Sequence, residues 1–428
     1  AIGYESGIAS ISGDNNTFVG TQTAEALTTG DYNTFIGMIA GRYYNDNSAV
    51  CIGFDAGNTR KTSNALIMGT GGVAIGTGSG GSGVCIGYQA GGYNHGSGNV
   101  AIGYRANAGG YNVAPTASGE ENSSSSNVAI GLYAMGNVNS DDVANRTTGN
   151  YNVAIGSYSV SKVTTGYGNS CIGYESGKLL TTGWGNVAFG QFALTTEDTG
   201  QVSVAIGTEA LMKQNNDAQN NNVAIGYRAG RNITTGINNI FFGSDTGISN
   251  ETNWGTGSYN VGIGTSALGA FESRAYNVAL GYQAGKAITT GNSNMLFGAN
   301  AGDALTTGER NVAIGRNALS TEDAHGYNVA IGYQSMLVHN GGANGFNVAI
   351  GDSALLDSTT GQYNIAIGYQ AGKELTTGSY NTFIGSASGG TSGASVLTGN
   401  NNFCIGYSAG YDIEGACAGA TFIGNYSG

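Results

Sequence analysis

Short apolar triads recur along this chain, each preceded by a polar residue and closed by glycine. Asn-Val-Ala-Ile-Gly stands at Asn99 to Gly103, Asn127 to Gly131, Asn152 to Gly156 and Asn222 to Gly226. Numbering this word 1 to 5, position 4 is Ile, Val, Leu, Phe or Met at every copy and position 2 is mostly Val. Position 3 is Ala, Cys or Phe in most copies. In a strand, positions 2 and 4 share one face and position 3 takes the other. Apolar residues on both faces predict a strand covered on both sides. A second apolar stretch follows, as in Ala371 to Leu375, and then a Thr-Thr-Gly turn.

Twenty-five such glycines run from Gly3 to Gly424, and twelve of the 24 intervals between them are 17 residues. A fixed period of this kind marks a repeat array, so length sets no domain count. Seventeen residues are too few for a helical pair, and Val, Thr, Asn and Gly argue against helix. The pattern predicts an all-β fold: a parallel β-solenoid of about 25 coils, each with two short strands and two turns. Its expected core is the position 4 column, including Ile155, Ile172, Phe189, Ile206, Ile225, Ile314, Ile331, Ile350, Ile367 and Ile384. One narrow coil has a thin core, so the position 3 column, or the Ala column of the second stretch, is expected to pack against neighbouring chains.

Glycine at position 5 (Gly156, Gly173, Gly190, Gly281, Gly298 and Gly315) fits a corner needing positive φ, or one where a side chain would strike the next coil. Thr-Thr-Gly occurs nine times and closes the opposite corner. Asn fills position 1 in about three-quarters of copies. Stacking would bring Asn152, Asn169 and Asn186, and likewise Asn277, Asn294, Asn311 and Asn328, into an amide ladder. The plainer alternative is that Asn merely tolerates a turn conformation.

Regular coils are expected over residues 1–69 and 151–428 of one continuous solenoid. Residues 70–150 read as irregular coils with loop insertions, among them the sole proline, Pro115. Proline cannot donate to a sheet ladder, so that copy should loop outward. These loops are candidates for a binding surface, or neutral insertions.

Composition sharpens this picture. Glycine contributes 77 of 428 residues without a collagen period, and 40% of the chain is apolar. Charged residues are only 10%, and the net charge is −12. The 15 Lys and Arg are scattered, so no nucleic-acid footprint is visible. No apolar run is long enough to span a bilayer as a helix.

Candidate chemistry is sparse. His95, His325 and His339 are isolated in sequence and read as solvated loop residues. Glu120-Glu121, Asp141-Asp142, Glu197-Asp198 and Glu322-Asp323 could serve acid–base chemistry or hold Ca²⁺, but no calcium-loop pattern surrounds them, and solvation is the better reading. Gly78 to Gly83 lacks the Lys and Ser/Thr of a phosphate loop. No catalytic, cofactor or metal residue is therefore expected. Cys51, Cys85, Cys171 and Cys404 all replace Ala at position 3 and form a possible interface column, should that column line a symmetry axis. Tyrosines flank the word on both sides, as at Tyr276, Tyr327, Tyr333, Tyr363 and Tyr369. They read as a stacked ladder, or as a surface for sugars.

The Asn-Val-Ala-Ile-Gly word, with Thr variants at Asn33 to Gly37 and Asn381 to Gly385, resembles the head repeats of trimeric autotransporter adhesins. With its Thr-Thr-Gly corners it also resembles phage tail-fibre shafts. The resemblance covers nearly the whole chain. It implies a left-handed parallel β-roll, three chains per rod and attachment to a host surface. The 17-residue unit is longer than the usual adhesin head repeat, and no heptad stalk, neck motif or membrane anchor is present. The expected function is a non-enzymatic extracellular fibre, a homotrimeric shaft on a virion or cell surface that contacts a glycan or other receptor. A self-assembling filament is the first alternative, since both ends break within a repeat. An ice-binding solenoid built on Thr columns and a polysaccharide-cleaving β-helix are the others.

Overall fold

The computed structural model describes residues 1–9, 12–42, 50–53, 66–67, 73–76, 83–87, 90–91, 96, 98–107, 124–136, 148–217, 219–248, 255–270, 272–273, 275–340, 344–390 and 396–428. Side chains of residues 66–67, 73–76, 83 and 85 also lie outside that description. The chain forms two compact units. One comprises Ala1–Glu209 with Asn215–Gln219, the other Ala210–Gln214 with Asn220–Gly428.

Both units are parallel β-solenoids whose coils repeat at about 17 residues, without helix among the described residues. In the first unit Thr17–Val19, Thr34–Ile36, Val50–Ile52 and Leu66–Ile67 pair successively in parallel. A second run extends from Gly83–Ile86 through Asn99–Ile102, Val128–Ile130, Val153–Ile155, Ser170–Ile172 and Val187–Phe189 to Val204–Ile206. One strand departs from the expected parallel pattern: Val73–Gly76 pairs antiparallel with Gly83–Ile86. The second unit is parallel throughout, from Val223–Ile225 to Thr421–Ile423. Register follows the word position by position, so Ala313 pairs with Ala330 and Ala330 with Ala349. The turns number about 19, fewer than the 25 expected.

Among the described residues each coil contributes one short strand, three residues long in most coils, not two. The second apolar stretch is a turn: Gln370 and Gly372 have φ of 54° and 57°, incompatible with a strand. This segment still bonds coil to coil, since Gly372 N–H donates to the Ser388 carbonyl at 2.8 Å. The position 5 corner also needs its glycine. Gly173 has φ of 137°, and a Cβ there would lie 2.5 Å from the Gly190 carbonyl oxygen of the next coil.

The core is where position 3 points, and this reverses the expected assignment. Ala154, Cys171, Ala188, Ala205, Ala224, Ala313, Ala330, Ala349, Ala366 and Phe383 are fully buried. The position 4 residues Ile155, Ile206, Ile225, Ile314, Ile331, Ile350 and Ile384 are only half-buried, while Ile172, Phe189 and Ile367 are exposed, at 37–38%. The strand alternates as its pattern predicts, but position 3 faces inward and position 4 outward. The physical reason is volume. The position 3 side chain shares a narrow coil interior with the buried column at position 8, so it must match the volume left there: Ala or Cys in most coils, and Phe35, Phe241 or Phe383 where position 9 is a glycine. The bulky β-branched residues turn outward, where space is unlimited.

Two further positions fill the interior. Counting on from the word, position 9 is Gly177, Gly285, Gly302 or Gly372 in some coils, and position 12 is then Leu180, Ile288, Leu305 or Leu375, all buried. In others position 9 is Leu194, Leu319, Met336 or Leu355, and position 12 is Glu197, Glu322, His339 or Ser358. A Cβ on Gly302 would lie 2.7 Å from the Leu305 Cδ1 atom, which shows that one large side chain occupies the space that both positions border.

Candidate functional site

Three features could carry function: an outward apolar sheet face, a column of buried asparagines with exposed aromatic rings beside it, and a buried polar corner.

The sheet face follows from the strand's orientation. Positions 2 and 4 of stacked coils form two adjacent apolar columns. In the second unit these include Ile240, Phe242, Ile263, Met295, Ile365, Ile367 and Phe403, with Phe242 53% exposed. Contiguous apolar surface of this kind marks an interaction face. The cysteines take the opposite side. Cys51, Cys171 and Cys404 are fully buried free thiols inside their coils, so they do not line an interface. Burial pushes the Cys171 thiol up to about 12, and burial followed by the nearby Cys417 pushes Cys404 up to about 11. The strand residue Cys85 pairs with Ala101, and its side chain lies outside the described residues.

The asparagines form the ladder that the sequence suggested, with main chain as well as side chain in it. Asn169 N–H donates to Asn152 Oδ1 at 2.9 Å, Asn169 Nδ2 donates to the same oxygen at 3.0 Å, and also to the Gly183 carbonyl at 2.8 Å. Asn186 repeats this against Asn169 and Gly200. In the second unit the chain of bonds runs through Asn222, Asn239, Asn260, Asn277, Asn294, Asn311, Asn328, Asn347, Asn364, Asn381 and Asn402. Asparagine is not there to take a left-handed turn. The preceding residue does that, as at Tyr151 and Tyr363, with φ of 59° and 56°. The ladder also crosses insertions without a break: Asn239 to Asn260 and Asn381 to Asn402 are each 21 residues apart.

Beside the ladder, rings stack. Tyr327, Phe346, Tyr363 and Tyr380 have successive centroids 4.9, 5.0 and 5.0 Å apart with interplanar angles of 25°, 10° and 2°. Thr hydroxyls of the Thr-Thr-Gly corner are occupied in coil-to-coil bonds, as in Thr164 to the Thr181 carbonyl at 3.1 Å and Thr289 to Thr306 at 3.2 Å.

The polar corner is what the sequence reading missed. His325 and His339 are not isolated. Glu322 and His339 are 17 residues apart, one period, and so occupy the same position 12 of consecutive coils; both are fully buried. Glu322 Oε1 accepts from the His325 main-chain N–H at 2.8 Å and lies 2.7 Å from His325 Nδ1. Glu322 Oε2 lies 3.6 Å from His339 Nε2. Burial raises the Glu322 carboxyl above its ordinary range, against the pull of its bonds to His325. Burial first, then the charge of His325, pushes His339 down to about 4. Ligand atoms of Glu322, Asp323 and His325 lie within 4.8 Å of one another, the one such group of carboxylates and imidazoles among the described residues. The period itself was the signal that could have found it. Glu197, of the other buried acidic pair, accepts from Gly200 N–H at 2.7 Å and caps its own corner. His95, Pro115, Glu120, Glu121, Asp141, Asp142 and residues 78–82 of the glycine run lie outside the described residues.

These features define the chain as a β-solenoid repeat protein. No protein-family model and no curated protein matches it.

Proposed function

We propose that the chain is a non-enzymatic extracellular shaft, of the kind used in phage tail fibres and cell-surface adhesins, in which three copies pack through the apolar sheet face and the exposed aromatic columns contact a glycan or other receptor. The observation that carries this reading is the pair of outward apolar columns at positions 2 and 4. They recur coil after coil at one spacing, so a second copy presents a matching series of ridges, and burying them removes exposed Ile, Phe and Met from water at about 25 cal/mol per Å². The resemblance to trimeric adhesin heads supports three as the number. Ladders of main-chain and asparagine bonds give each unit the stiffness a spacer requires.

Native mass tests the proposal. A discrete species at three times the 43.1 kDa chain mass is expected. The double substitution Ile365→Glu and Ile367→Glu should lower it, by placing facing carboxylates in the interface while leaving the coil interior untouched. A monomer at micromolar concentration overturns the trimer, and a species of unlimited length favours a filament instead.

A further inference from the structure

The buried corner at Glu322 holds polar groups that capping alone does not explain. Glu322 Oε1 is fully used, accepting from Ala324 N–H at 3.2 Å and His325 N–H at 2.8 Å. Glu197 caps its own corner in the same way, so this half of the carboxylate has a structural role. The other half differs. Glu322 Oε2 and both ring nitrogens of His339 make no hydrogen bond of normal geometry among the described residues, although the Ser358 main chain lies near enough to His339 to favour its protonated form. Both side chains are fully buried, and such orphaned groups are costly.

A direct hydrogen bond does not resolve it, because the 3.6 Å between Glu322 Oε2 and His339 Nε2 exceeds a normal hydrogen-bond distance. A cation resolves it better. It would take the free carboxylate oxygen of Glu322 and a ring nitrogen of His339 as ligands at once, giving both orphaned groups a partner. The spacing suits one. Donors about 2.0–2.2 Å from a tetrahedral zinc lie roughly 3.3–3.5 Å apart, and Glu322 Oε2 and His339 Nε2 are 3.6 Å apart. His325 and Asp323 are half-buried at the same corner, so both can turn toward the ion and bring the set to four donors. Two imidazoles with carboxylate oxygens suit a borderline first-row divalent ion better than calcium or magnesium.

We propose that Glu322, His325 and His339, with Asp323 as fourth donor, form a structural zinc-class site that fastens one coil of the second unit to the next. This does not depend on the shaft reading, since a lone monomer would carry the same corner.

The test uses the full chain, stripped with a chelator and titrated with zinc chloride by calorimetry and by thermal unfolding. The expected result is one ion per chain and a rise in Tm on the order of 5 °C at saturating zinc, reversed by chelator. Cobalt(II) in its place should give the visible absorption of a four-coordinate site. His339→Asn should abolish both effects. Should that buried variant fail to fold, His325→Asn, at a partly exposed position, should still weaken zinc binding at least tenfold. Coincident melting curves with zinc and with chelator overturn the proposal, as does undiminished zinc binding in the His325→Asn variant.

Discussion

Coils of two kinds occur in the second unit, told apart by their residues at positions 9 and 12. In the coil of Leu305 the ninth position is Gly302, and the leucine reaches across it to fill the interior. In the coils of Glu322, His339 and Ser358 the ninth position is Leu319, Met336 or Leu355, and that side chain fills the same space. The first kind puts the left-handed conformation of position 9 on a glycine, as at Gly302 with φ of 55°. The second puts φ of 54°, 50° and 49° on Leu319, Met336 and Leu355, at a cost of roughly 1 kcal/mol or more each. What that strain releases is position 12, which no longer has to be apolar. The solenoid thus holds its core volume fixed and moves the side chain that supplies it, freeing a buried corner for polar chemistry without opening a cavity.

The sharpest way to break this comparison is to give one kind of coil the other's residue. Leu305→Ser installs, in a coil with glycine at position 9, what Ser358 provides naturally in a coil with leucine there. Nothing remains to fill the interior, so the loss should reach about 4–5 kcal/mol, the upper range for truncating a buried leucine, with an added unpaired hydroxyl. Denaturant unfolding measures it. A loss below about 1 kcal/mol would mean that the two positions do not share one space.

Asn294→Ala tests what the two kinds share. The substitution orphans the Asn311 N–H and the Gly308 carbonyl, which the asparagine serves at 2.9 Å each. Two buried unsatisfied groups predict a loss of about 2–4 kcal/mol. The same change at Asn347, which opens the coil of Leu355 and serves Asn364 N–H and the Gly361 carbonyl, should cost a similar amount. A large difference between the two sites would show that the ladder's contribution depends on coil type after all.

Much of this organisation is legible in the sequence. The 17-residue period, the strand at each word, the glycine corner and the asparagine column can all be read from spacing alone. The direction of the strand cannot, because Val, Ala and Ile give apolar residues on both faces, and hydrophobicity alone does not say which side is in. Volume matching does: position 3 is small, as at Ala154, Cys171 and Ala188, or is a phenylalanine facing a glycine at position 9, as at Phe383 and Gly389. The buried histidine escaped because solitary residues were compared with their sequence neighbours. One period back from His339 stands Glu322, and the contact lies there.

The smallest effect sharpens the comparison most, because its sign is opposite. Ser358 occupies position 12 beneath Leu355, fully buried, and its hydroxyl makes no hydrogen bond among the described residues. Its volume is not needed, since Leu355 supplies the core, and its polarity finds no partner. Ser358→Ala therefore removes a desolvated hydroxyl and opens almost no space. The expected change is a gain of up to about 1 kcal/mol, against the large loss at Leu305, although both substitutions alter the same position of the repeat. Differential scanning calorimetry should show Tm unchanged or raised. A fall of several degrees would show that the hydroxyl is engaged, by His339 or by water, and that the polar column extends one coil further than its geometry indicates.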